Sequence, residues 1–158
     1  MNELLEILRD QAFFEGLREE YLRLVAADAS LRTFRADEYL FREHEEARAF
    51  YLIRTGRVAL ESRLPGRRSE IFMTLGHGDV LGWSWLMPPY RWHYSARALE
   101  ETHTVHFDAP ALHACMNRDP VLGYALFQRF AALIVQRLQA ARLQAMDIYG
   151  GGDVGLGG

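Results

Sequence analysis

The chain has 158 residues, of which 49% are hydrophobic and 25% charged, a balance that suits one folded domain and excludes disorder over most of its length. Acidic residues outnumber basic ones, 21 to 18, for a formal net charge of -3. That excludes the basic footprint of a dedicated nucleic-acid-binding domain, so no direct contact with DNA is expected.

The N-terminus reads MNELLEILRD, with Leu4, Leu5, Ile7 and Leu8 at helical spacing. Glu3, Glu6 and Asp10 in that stretch are unlike the basic start and apolar run of a signal peptide. A short helix is predicted to end near Asp10, and a second from Arg18 to Ala29 with Tyr21, Leu22, Leu24 and Val25 on its apolar side. From Leu31 to Asp108 the periodicity shortens and turn residues recur. Strands are predicted at Leu31–Arg35, Glu38–Arg42, Ala49–Thr55, Arg57–Arg63, Ser69–Leu75, Val80–Trp83, Ser95–Leu99 and Thr102–Phe107. Eight short strands so spaced predict a jelly roll or small barrel, in which paired sheets cover most edges.

After Asp108 the pattern is helical again. Asp108 caps a short helix over Ala109–Asn117 with Pro110 in its first turn, and Asp119-Pro120 opens a long one to about Ile148. Leu122, Leu126, Phe130, Leu133, Ile134, Leu138 and Ala141 form an apolar stripe, widened by Phe127, Ala131 and Val135. So broad a stripe exceeds what a small barrel covers, and part of it is expected to face a second copy in a homodimer. Residues 149–158 (YGGGDVGLGG from Tyr149) read as a flexible glycine-rich tail. The one cysteine, Cys115, forms no internal disulfide, fits a reducing compartment and reads as a small buried residue. No stretch reaches the length of a membrane span, and a cytoplasmic location is expected.

Three glycines sit at informative places: Gly56 between two strands, Gly78 before Asp79, and Gly82 opening the loop Gly82-Trp83-Ser84-Trp85-Leu86. Pro88-Pro89 and then Ser95-Ala96-Arg97-Ala98 follow. Together with Phe50–Val58 and Leu75–Gly82, the order of helix, eight strands, short helix and long helix resembles the cyclic-nucleotide-binding domain shared by catabolite activators and the regulatory subunits of cyclic-AMP-dependent protein kinase. The resemblance covers about residues 10–148 and implies one β-roll domain, mainly β with flanking helices (α+β), over 1–148. It implies a regulatory module rather than an enzyme, and a possible ligand, cyclic AMP or cyclic GMP. In that family a winged-helix domain follows the long helix in the activators; here a glycine tail follows, so a module acting on a protein partner is expected.

In that family, backbone N–H groups and an arginine hold the cyclic phosphate while a glutamate holds the ribose hydroxyl. Trp83 follows Gly82 where the family pattern has glutamate, and Trp92 falls where arginine is expected. Arg91 is the neighbouring candidate for the anion, provided the loop shifts register by one, and His93 adds a pH-sensitive charge. The candidate ligand-binding set is Gly82, Trp83, Ser84, Trp85, Leu86, Arg91, Trp92, His93 and Ser95. Arg137 and Arg142 of the long helix are candidates to lid the pocket from above. Trp83, Trp85, Tyr90, Trp92 and Tyr94 crowd the loop either to stack a flat ligand or to fill the pocket, which leaves a ligand-free interaction and assembly module as the alternative.

Metal-dependent jelly-roll chemistry is the weakest alternative. His103 and His106, three apart on a strand, point to opposite faces, and the two-apart spacing of metal-binding jelly rolls is absent. No nucleophile elbow, HExxH or phosphate-binding loop motif occurs.

Overall fold

The computed structural model describes the backbone of residues 2–157 and the side chains of residues 3–144 and 146. Two short helices open the chain, α1 (Asn2–Arg9) and α2 (Glu19–Ala27), with a 3-10 turn at Ala12–Phe14 between them. Eight strands follow: β1 (Ala29–Phe34), β2 (Tyr39–Phe41), β3 (Ala49–Thr55), β4 (Val58–Arg63), β5 (Ser69–Leu75), β6 (Val80–Leu81), β7 (Ser95–Ala98) and β8 (Thr102–Asp108). Helices α3 (Ala109–Arg118) and α4 (Pro120–Gly157) close the chain. The flexible tail expected at 149–158 lies outside the residues whose side chains are described.

The strands form two four-stranded antiparallel sheets, ordered β1-β8-β3-β6 and β2-β7-β4-β5. This is the jelly-roll arrangement the turn spacing predicts, in the eight-stranded β-roll form the resemblance implies. In the first sheet Tyr51 pairs with His106 and Leu52 with Val105, which sets the two faces. Phe50 and Phe107 stack with centroids 4.2 Å apart on the face toward the helices, where Phe14, Trp85 and Phe130 pack on them. Tyr51 and His106 occupy the opposite face, toward Phe34 of β1 and Phe41 of the second sheet.

Local chemistry explains the boundaries. Asp108 Oδ2 accepts from the Ala111 N–H at 2.9 Å, and Asp119 Oδ1 from Val121 and Leu122 N–H at 3.1 and 3.3 Å, so both aspartates cap as their positions predict. Gly56 turns β3 into β4 at φ +102°, where a Cβ would lie 2.4 Å from Thr102 Oγ1 and 2.7 Å from the Glu101 carbonyl oxygen. β6 stops at Leu81, two residues before its predicted end, because Gly82 takes φ +103° and breaks the extended run.

Helix α4 divides its apolar surface. Leu122, Leu126, Phe130 and Leu133 are buried on the roll, while Phe127, Val135 and Leu138 are exposed. None of the described helices is long and apolar enough to cross a membrane.

Candidate ligand-binding site

The loop between β6 and β7 begins at Gly82, makes a 3-10 turn at Ser84–Leu86 and returns through Tyr90–Tyr94. Its last residues are held in antiparallel register on the turn after β2. Ala47 N–H donates to the Tyr90 carbonyl (2.7 Å), Trp92 N–H to the Glu45 carbonyl (3.0 Å) and His44 N–H to the Trp92 carbonyl (2.8 Å). Extended backbone alternates its side chains, and here Trp92, Tyr94, Ala96 and Ala98 are buried while Arg91 and His93 are exposed.

That parity decides where each candidate residue goes. Trp92 stacks on Phe41 and its ring edge covers Gly82. Arg91 turns outward, and its Nη1 donates to the His44 carbonyl at 3.1 Å. His93 Nδ1 meets Ser84 Oγ at 3.0 Å on the outer side of the loop. Ser95 Oγ accepts from the Glu43 N–H at 2.8 Å. Leu86 and Trp85 are buried, Trp85 completely, between Phe50, Phe130 and His113 on the helix side of the first sheet. His113 Nε2 lies 2.6 Å from the Trp85 carbonyl oxygen and pins the 3-10 turn to α3. The three tryptophans therefore stand in three surroundings: Trp92 in the roll beside Phe41, Trp85 under α4, and Trp83, half-buried, edge-on to Tyr94 at 5.7 Å.

Tyr94 is the residue that sequence reading left out of the candidate set. Its ring sits among Phe41, Phe72 and Trp83, and burial pushes its phenol far up, with Arg137 opposing. The period-2 alternation back from the alanines of β7 was the signal that places it inward. Arg137 reaches in from α4, and its Nη2 donates to the Val80 carbonyl at 2.5 Å. Burial pulls that guanidinium below its usual value, while Tyr94 and Asp79 oppose the shift. Tyr94 Oη and Arg137 Nη1 are both buried without a hydrogen-bond partner among the described residues. Both are donors short of an acceptor, and each bears on the other's ionisation, which suits an oxygen of a ligand placed between them. Where the family pattern has a carboxylate for a ribose hydroxyl, the Trp83 ring offers no acceptor.

Arg142 does not join Arg137. Five residues further on, it lies about 140° around the helix, and it is exposed beside Gln139, Leu143 and Met146. Among the described residues no group of three or more His, Cys, Asp and Glu side chains is placed to hold a metal ion.

The profile of the family described as cyclic nucleotide-binding domain matches residues 31–119. Among solved structures, a Geobacter metallireducens GS-15 protein described as cyclic nucleotide-binding is 27% identical, with a TM-score of 0.77 over 84% of this chain and 96% of that one. The catabolite activator protein of Thermus thermophilus is 26% identical with a TM-score of 0.66 over 87% of this chain, which spans 62% of the activator. A cyclic nucleotide-binding domain from Methylobacillus flagellatus KT shares the fold at 21% identity, TM-score 0.76, over 90% of this chain and 80% of that one. No curated protein matches the chain.

Proposed function

The chain belongs to the cyclic nucleotide-binding domain family, and from that premise we propose that it is a cytoplasmic regulatory sensor whose ligand sits beneath the Gly82–Ser95 loop and is read out by α4. The observation that carries the proposal is the pair of unpartnered buried donors, Tyr94 Oη and Arg137 Nη1. One belongs to the loop and the other to the helix, so an oxygen accepting from both would tie the two elements together. A cyclic phosphate supplies such oxygens; the ribose would rest on Trp83 in place of a carboxylate. The candidate set thereby narrows to Gly82, Trp83 and Arg137, joined by Tyr94, with Arg91 and His93 on the outside. Ligand binding shifts α4 only as far as the ligand prefers one helix position over the other. The exposed stripe of α4 is the surface for a second copy or a protein partner.

The test is calorimetric titration with cyclic AMP and cyclic GMP, backed by a thermal-shift panel of other nucleotides. Saturable one-site binding, weakened in Tyr94→Phe, is the expected result. No heat and no stabilisation across the panel would overturn it. That outcome favours the second reading, a ligand-free assembly module, for which the complete burial of Trp85 and near-complete burial of Trp92 speak.

A further inference from the structure

A cavity of about 680 Å3 opens at the mouth of the roll, on the Tyr51–His106 face of the first sheet. Arg32 of β1, Arg48 and Arg91 stand around it, and Leu40, Phe41, Tyr51 and Trp92 supply its apolar and aromatic wall. The volume is that of a small-molecule site.

Three guanidinium groups, Arg32, Arg48 and Arg91, and three carboxylates, Glu45, Glu46 and Asp108, line it, but they are unevenly paired. Of the carboxylates, Asp108 is committed to capping α3, and Glu46 lies 3.7 Å from Arg48. Arg91 is held by a carbonyl, not by a carboxylate, and Arg32 makes no ion pair among the described residues. That leaves Arg32 and Arg91 beside the cavity, neither in an ion pair with a carboxylate among the described residues. His106 is half-buried between Arg32, Asp108 and Tyr51; burial first and the Arg32 charge second lower its value, and Asp108 opposes them.

We propose that this cleft is a second binding site, for a small organic anion that carries one carboxylate or phosphate on an apolar or aromatic body. Arg32 and Arg91 hold the anionic group, which suits planar guanidinium forks. The body lies against the Tyr51–Trp92 wall, whose rings are themselves nearly buried, so that the apolar surface leaving water is mainly the ligand's own. Neither Tyr94 nor Arg137 lines this cavity, and the anion contacts at Arg32 and Arg91 do not depend on a ligand beneath the loop.

The experiment follows the His106 ring by NMR in the full chain during titration with 4-hydroxybenzoate, 5′-AMP and inorganic phosphate, with Trp83 and Tyr94 resonances as monitors of the other site. The expected result is a saturable shift of His106 and a rise in its pKa with an organic anion. Response to 4-hydroxybenzoate alone identifies a carboxylate ligand, and response to 5′-AMP alone a phosphate monoester. Arg32→Ala and Arg91→Ala, both at exposed positions, should each weaken binding about tenfold or more, the scale of a charged hydrogen bond. A His106 ring unmoved by either organic anion overturns the proposal. So does an equal response to inorganic phosphate, or affinity unchanged in both folded variants. Movement of Trp83 and Tyr94 without His106 supports the site beneath the loop and overturns this one.

Discussion

Trp92 lies face to face on Phe41, ring centroids 3.6 Å apart and planes within 10°, and the far edge of the same indole roofs Gly82. A Cβ on Gly82 would come within 2.9 Å of Trp92 Cη2 and would have to sit at φ +103°. Gly82→Ala is therefore expected to lose about 2–4 kcal/mol, from left-handed backbone strain plus overpacking. The midpoint of urea unfolding measures it, and a loss below about 1 kcal/mol would show that the indole yields easily.

The same stacking predicts the fate of an attempt to rebuild the usual cassette. Trp83 is half-buried at the loop surface, so Trp83→Glu should fold with a loss of about 1 kcal/mol. Adding Trp92→Arg places an unpaired guanidinium against Phe41 and should lose about 3–5 kcal/mol more. Thermal unfolding of the single and double variants separates the two. A double variant as stable as the single one would show that Trp92 can leave the roll without loss.

The roll was legible because its signals are local. β3 and β5 run over the residues their β-branched and aromatic content predicts, and the capping aspartates bound α3 and α4 where expected. The 3-10 turns at Ala12–Phe14 and Ser84–Leu86 carry no periodicity long enough to read. The site was less legible for a related reason. Which of Arg91, Trp92, His93 and Tyr94 points inward depends on one parity, and that is set by pairing with residues 44–47, a long-range contact. Trp85 is sent to the other side of the first sheet by the 3-10 turn, which no spacing in the loop announces. Arg137 and Arg142 looked equivalent on a helix whose rotation against the roll only the packing of Leu126, Phe130 and Leu133 defines.

Tyr94 offers a separation of stability from binding. Its hydroxyl is buried without a partner among the described residues, so Tyr94→Phe removes an unsatisfied polar group. Stability should stay level or rise by about 1 kcal/mol, while affinity for a ligand beneath the loop falls about five- to tenfold. Denaturant unfolding and calorimetry on the same preparation check both signs. A loss of stability above about 1 kcal/mol would mean that the hydroxyl does have a partner in the folded protein.

His106 gives the pH dependence a sign. Burial first, and Arg32 second, hold its folded value below the ordinary 6.5. The unfolded chain therefore takes up a proton at a higher pH than the fold does. Stability tied to this residue is intact above about 6.5 and is lost as pH falls from there through the lower folded value. In His106→Asn that part of the slope should vanish, and in Arg32→Ala it should shrink because one of the two causes is gone. Urea midpoints between pH 7.5 and 5 test this, and identical slopes in all three proteins would exclude a contribution from His106.

Along α4, Val121, Tyr124, Gln128, Ala131, Val135, Leu138 and Arg142 recur at alternating steps of three and four, and all are exposed. The buried stripe of Leu122, Leu126, Phe130 and Leu133 runs beside them on the roll. Steps of three and four are the spacing of a two-helix seam, and the apolar members of the row, Val121, Tyr124, Ala131, Val135 and Leu138, left in water cost solubility without return. Sedimentation at micromolar concentration is expected to give a dimer. Val135→Glu combined with Leu138→Glu should convert it to a monomer by placing like charges across the seam, with unfolding of the monomer little changed because neither residue packs on its own roll. A wild-type chain that sediments as a monomer over the whole range would reassign this row to a different protein partner.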